Sequence, residues 1–197
     1  ARAELVSPLL DDELRAIRIA AVTVLTNLDV AEASIKVYRR AFQEYVVFND
    51  NQLWRGEGRV NEANRKIAQG DYIGAEYAYK ASIDIDPHFE PGYINLADIN
   101  RSKQREDIVE GVLKMGLEKN PKSADITYSY GLMLVRTKDI HQAIQYFYKA
   151  MNLNKQNPQL AYTYILALDG AGESIKAINE LKTLVTMYSN NQSLIEL

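Results

Sequence analysis

Residues 124–157 read ADITYSYGLMLVRTKDIHQAIQYFYKAMNLNKQN, and this stretch decides the fold because its spacing recurs along the chain. Within it Ala143 is followed four residues later by Phe147 and three after that by Ala150. Steps of 34 residues give Ala75, Tyr79 and Ser82, then Val109, Leu113 and Gly116, and finally Ala177, Leu181 and Leu184. Twelve residues before each first member stand Ala63, Ala97, Gly131 and Ile165, mostly small residues, where two paired helices have to approach closely. A fixed period in the range of roughly 20–50 residues means an array of repeated supersecondary units.

Each unit reads as helix, short turn, helix. In the first, Val60, Ala63 and Ile67 form an i, i+3, i+7 stripe, Gly70-Asp71 breaks the chain, and Ala75, Ala78, Tyr79 and Ser82 resume the stripe. Pro87 and Pro121 fall where the first two units must end. Lys155 and Ser189 stand there in the other two, and turn residues continue in Asn154, Asn157 and Pro158 and in Asn190 and Asn191. The reading is an all-α chain with four units, 56–89, 90–123, 124–157 and 158–191, matched from Gly56 to Ser189 without insertion. A lone hairpin cannot bury its apolar face, so neighbouring units supply the core.

The pattern resembles the tetratricopeptide repeat (TPR), whose signature is W-x2-L-G-x2-Y, then A-x3-F, a small residue and P. The first-helix quartets here are Arg59, Glu62, Ala63, Lys66; Tyr93, Leu96, Ala97, Asn100; Thr127, Tyr130, Gly131, Leu134; and Ala161, Tyr164, Ile165, Leu168. Three polar residues in the first quartet stand where the family keeps apolar ones, so that helix is expected to pack differently or be partly exposed. The resemblance implies a right-handed superhelical array of antiparallel helix pairs whose first helices line a concave groove for a protein or peptide partner. Groove positions carried over are Val60, Asn64 and Ile67, then Ile94, Asn95, Asp98 and Arg101, then Tyr128, Leu132 and Arg136, and last Tyr162, Leu166 and Asp169. Tyr128 and Tyr162 read equally as side-by-side groove anchors beside Arg136 and as packing residues. A family subset clamps a C-terminal carboxylate with cations. Asn64 and Asn95 match it, but Val60, Asp125 and Ser129 occupy the cation positions. The expectation is a mixed tyrosine, apolar and polar groove.

Ahead of the array, Leu9-Leu10-Asp11-Asp12, Leu14-Arg15, Ile17-Arg18, Ala20-Ala21 and Val24-Leu25 resemble the closing part of a HEAT repeat, over residues 1–28. One amphipathic helix with an Asp cap reads the same way. Residues 29–54 read as a bridging helix and loop, the helix from Ala31 to Phe48 presenting Ile35, Tyr38, Ala41, Phe42 and Tyr45, and ending at Asn49-Asp50-Asn51. Ala41 and Tyr45 lie one period before Ala75 and Tyr79. Residues 192–197 read as a truncated cap, where Leu194, Ile195 and Leu197 suggest self-association through this end or a folded-back segment.

Composition removes other classes. Among 197 residues there is no cysteine, so no thiolate metal site, iron–sulfur cluster or haem-attachment motif exists within them. His88 and His141 lie far apart with no metal-ligand spacing. A net charge of -3 without a basic stripe argues against nucleic acid. No uncharged run approaches the ~18 apolar residues that a membrane span requires. No G-x-S-x-G elbow is present, Gly56-x-Gly58 has Asn61 where a dinucleotide loop needs a third glycine, and Gly170-x-Gly172 reads as the fourth inter-helix turn. The carboxylates of Asp84 and Asp86, and of Glu106 and Asp107, read as helix-end and turn residues. No catalytic constellation and no cofactor site is expected, so the chain is read as a non-catalytic interaction or scaffold module.

A second resemblance widens the reading. Asn95-Leu96-Ala97-Asp98 and Gly131-Leu132-x-Leu134-Val135-Arg136, with the HEAT-like start, are similar to the C-terminal part of exported bacterial multihaem cytochrome proteins. That likeness implies a docking appendage in the bacterial periplasm, with haem only upstream of Ala1; otherwise the cytoplasm is expected. The chain begins without Met, which reads as a processed chain or a piece of a longer one.

Overall fold

The computed structural model describes residues 2–25 and 35–188, and the chain divides into two compact units, residues 1–86 and 87–197. Among the described residues the regular structure is entirely helical. The first unit holds α1 (Arg2–Val6), a 3-10 turn (Ser7–Asp11), α2 (Arg15–Leu25), α3 (Ile35–Asp50), α4 (Gly56–Ala68) and α5 (Tyr72–Ile85). The second holds three helix pairs: α6 (Glu90–Ser102) with α7 (Glu106–Lys119), α8 (Ala124–Arg136) with α9 (Ile140–Leu153), and α10 (Pro158–Gly170) with α11 (Ser174–Met187).

The 34-residue period is expressed in the backbone without drift. First helices begin at 56, 90, 124 and 158, and second helices at 72, 106, 140 and 174. The turns between them are one motif repeated four times. In each, the amide after the turn residue reaches back to the carbonyl five before it: Asp71 to Lys66 at 2.8 Å, Arg105 to Asn100 at 3.1 Å, Asp139 to Leu134 at 2.9 Å and Glu173 to Leu168 at 2.9 Å. A second bond joins the turn residue's own amide to the carbonyl three before it, as Gly70 to Ile67 at 2.9 Å. This paired closure requires a left-handed residue at the turn. Gly70 (φ 79°) and Gly172 (φ 81°) supply it freely, whereas Gln104 (φ 57°) and Lys138 (φ 66°) adopt it against their own Cβ. The following residue doubles as a cap in two units, where Asp71 accepts from the Gly74 amide at 2.8 Å and Asp139 from the Gln142 amide at 3.1 Å.

The repeat positions form the interior. Ala63, Ala75, Ala143, Ala150 and Ala161 are fully buried, with Val109, Leu113, Phe147 and Leu184 close behind. Gly131 shows why small residues are needed: a Cβ there would sit 2.6 Å from the Phe147 ring. In the first hairpin Ser82 Oγ donates to the Gly56 carbonyl at 2.9 Å, tying the end of α5 to the start of α4.

The three polar residues of the first quartet are only partly buried, and each has a charged partner. Arg59 Nη1 meets Glu62 Oε2 at 2.9 Å, and Lys66 Nζ meets Asp71 Oδ2 at 3.3 Å.

At the start of the chain, Leu10, Ala21, Val22, Leu25, Ala41 and Tyr45 form a small core joining the 3-10 turn, α2 and α3. Arg18 fastens it. Its guanidinium donates to both Glu44 oxygens at 3.0 Å, and to the carbonyls of Asp12 at 2.7 Å and Glu13 at 3.0 Å. Asp12 meanwhile accepts the Leu14 amide at 2.8 Å, the Asp-turn expected before α2. Helix α3 ends at Asp50, within the Asn49-Asp50-Asn51 run, and Asn49 is buried with its side-chain amide on the Tyr45 carbonyl at 2.9 Å. Residues 31–34, 189–191 and the 192–197 cap lie outside the described residues.

Candidate functional site

In the second unit, α6, α7 and α8 enclose a cleft of about 500 Å³. Its wall comes from one face of α6 (Ile94, Asp98, Arg101) and the matching face of α8 (Tyr128, Leu132, Arg136), residues that recur at helical spacing. Ala97, Val109 and Leu113 form an aliphatic floor, and Ser129 adds a neutral hydroxyl.

The polar groups of the cleft are matched internally. Arg136 makes a two-pronged contact with Glu106, Nε to Oε1 at 2.8 Å and Nη2 to Oε2 at 3.2 Å. Both side chains are about two-thirds buried, which strengthens a pair of this geometry. Arg101 Nε meets Asp98 Oδ1 at 3.1 Å one turn earlier on α6. Tyr128 is half-buried, its ring 5.7 Å from Phe147 and its hydroxyl 3.4 Å from Thr163 Oγ1 on α10. Tyr128 therefore packs against its own hairpin while showing one edge to the cleft.

Six of the groove positions named from the sequence thus line one cleft. Asn95 is half-buried on α6 and is not among the lining residues. Tyr162, Leu166 and Asp169 hold the corresponding register on α10 without reaching the cleft, and Asp169 accepts from Ser174 Oγ at 2.6 Å. Val60, Asn64 and Ile67 belong to the first unit, where Val60 is buried and Asn64 Oδ1 accepts the Tyr79 hydroxyl at 2.6 Å. From the sequence, Glu106 reads as a helix-end or turn residue only. Its place opposite Arg136 was hidden because the two lie thirty residues apart on different hairpins. Among the described residues no cluster of His, Asp and Glu could hold a metal ion, and no helix is long and apolar enough to cross a membrane.

Helix pairs of constant length, joined by one turn motif and stacked on small residues, define a helical-repeat protein. Its particular fold is that of the tetratricopeptide-repeat proteins, as solved structures show. MamA (residues 41 to the end) from Desulfovibrio magneticus RS-1 superposes with a TM-score of 0.61 at 12% identity, over 97% of each chain. YrrB, a TPR protein with an unusual peptide-binding site, gives 0.55 at 12% identity, over 98% of this chain and 97% of that one. The first TPR of Spaghetti (RPAP3) bound to the HSP90 peptide SRMEEVD gives 0.54 at 14% identity, over 60% of this chain and 96% of that one. No protein-family model matches the sequence, and no curated protein does.

Proposed function

We propose that this chain is a non-catalytic interaction module that takes a segment of a partner protein in the α6–α8 cleft. The observation that carries this reading is the convergence of Ile94, Asp98, Arg101, Tyr128, Leu132 and Arg136, from two successive first helices, on one aliphatic-floored cleft. A concave site with an apolar floor and a few fixed polar groups is the usual form of a binding pocket. Two proteins of the same fold, the RPAP3 domain and YrrB, bind a peptide or have a peptide-binding site, which supports a peptide as the ligand class.

The test is a selection of random peptides on the intact chain, followed by titration of the winners by fluorescence anisotropy. Leu132→Asp is expected to weaken binding at least tenfold, because it places an unpaired carboxylate on the apolar wall. Tyr128→Ala is expected to cost at least ~1 kcal/mol of binding. Peptides that bind both variants as tightly as the parent would overturn the assignment of the cleft.

A further inference from the structure

Resting on that reading, we infer that the cleft selects an uncharged segment bearing aliphatic side chains, and that the Glu106–Arg136 pair excludes carboxylate-terminated ligands. The cations a carboxylate would seek are both engaged: Arg136 by two contacts to Glu106, and Arg101 by Asp98. Two positive and two negative side chains leave the site balanced. A ligand carboxylate would have to share Arg136 with Glu106, bringing a third negative group to two cations that are already neutralised in a partly dehydrated place, and such crowding is unfavourable. What the site still offers is the accessible apolar surface of Ile94, Leu132 and Val135, whose contact with water an aliphatic side chain would remove, above a floor of Ala97, Val109 and Leu113 that the fold already buries. A cleft of about 500 Å³ lies within the range of pockets that engulf whole small ligands, so it holds more than one side chain.

The experiment uses the intact chain, a library of random dodecapeptides and the acidic peptide SRMEEVD as a defined probe. The expected winners have net charge near zero and two or more aliphatic residues. Their affinity should change by less than about twofold between low and high salt, since a balanced site has little charge to screen. Glu106→Gln should leave their binding within about twofold, while freeing Arg136 to raise SRMEEVD affinity roughly tenfold. Acidic winners that are salt-sensitive and lost in Arg136→Met would overturn the selectivity inference while leaving the cleft as the binding site, as would Glu106→Gln without a gain for SRMEEVD. Winners indifferent to Leu132→Asp, or no winner at all, would overturn the cleft itself. Should Leu132→Asp lose its helical circular dichroism, Val135→Asp on the exposed rim carries the same arm. Dimerisation abolished by these variants would make a second copy the occupant, against the inference.

Discussion

The hairpin α4–α5 and the hairpin α8–α9 have helices of equal length and the same turn, yet they are held together by different chemistry. In α8–α9 the quartet Thr127, Tyr130, Gly131, Leu134 is buried, and the Gly131 gap is filled by Phe147. In α4–α5 the quartet keeps Ala63 at the point of close approach and surrounds it with Arg59, Glu62 and Lys66 in ion pairs. Arg59 Nε and Arg65 Nη1 are buried there without a hydrogen-bond partner, so the polar solution is incomplete. The lesson is that backbone periodicity rests on the turn and on one point of close approach, which a small residue fills in three of the four units. The remaining quartet positions can be apolar or paired charges.

The sharpest way to break this contrast is Phe147→Ala. Phe147 is 1% exposed, and no polar pairing can compensate its loss, so a cost of about 3–5 kcal/mol is expected from urea unfolding. Alkaline pH tests the same aromatic interior. Burial pushes the Tyr164 hydroxyl up to about 12, with Glu180 adding to it. The fold favours the neutral phenol, so this contribution is complete below pH ~10, where unfolded tyrosine titrates, and is lost as pH climbs from 10 through 12. A loss on the order of 2 kcal/mol over that window is expected, flattened in Tyr164→Phe. Gly131→Ala should cost about 1–2 kcal/mol despite its better helix propensity, because the new methyl meets Phe147, and Phe147→Leu should recover part of it. On the other side, Glu62→Ala should cost about 1 kcal/mol by leaving Arg59 unpaired, whereas Arg59→Leu with Glu62→Leu should be close to neutral. The smallest effect concerns what the hairpins share: Gln104→Gly and Lys138→Gly should each stabilise by ~0.5–1 kcal/mol, while Gly70→Ala destabilises.

The periodic part of the molecule was legible because period, small residues and turn breakers are local and repeated. Helix starts at 56, 90, 124 and 158 follow directly from it. The left-handed conformation of Gln104 and Lys138 is not legible, although they stand in register with Gly70 and Gly172, because neither residue type announces it. Contacts between distant positions stayed hidden: Arg18 on Glu44, Arg136 on Glu106, and Tyr128 reaching Thr163 on the next hairpin. Nothing in the periodicity signalled the division after Asp86, since the repeat runs across it in unbroken register. Of the cleft, the α6 and α8 faces follow from helical spacing, while its α7 floor follows from packing that one sequence does not display. The stretches likened to multihaem proteins have positions in the repeat itself: Leu96, Ala97 and Leu134 are buried, and Gly131 abuts Phe147.

The central claim is that a partner segment binds in the α6–α8 cleft, and amide and methyl NMR of the labelled chain with a selected peptide tests it most directly. Shifts concentrated on Ile94, Ala97, Leu113, Leu132 and Val135 are predicted. Shifts confined to residues outside the cleft, with these five unmoved at saturation, would contradict it.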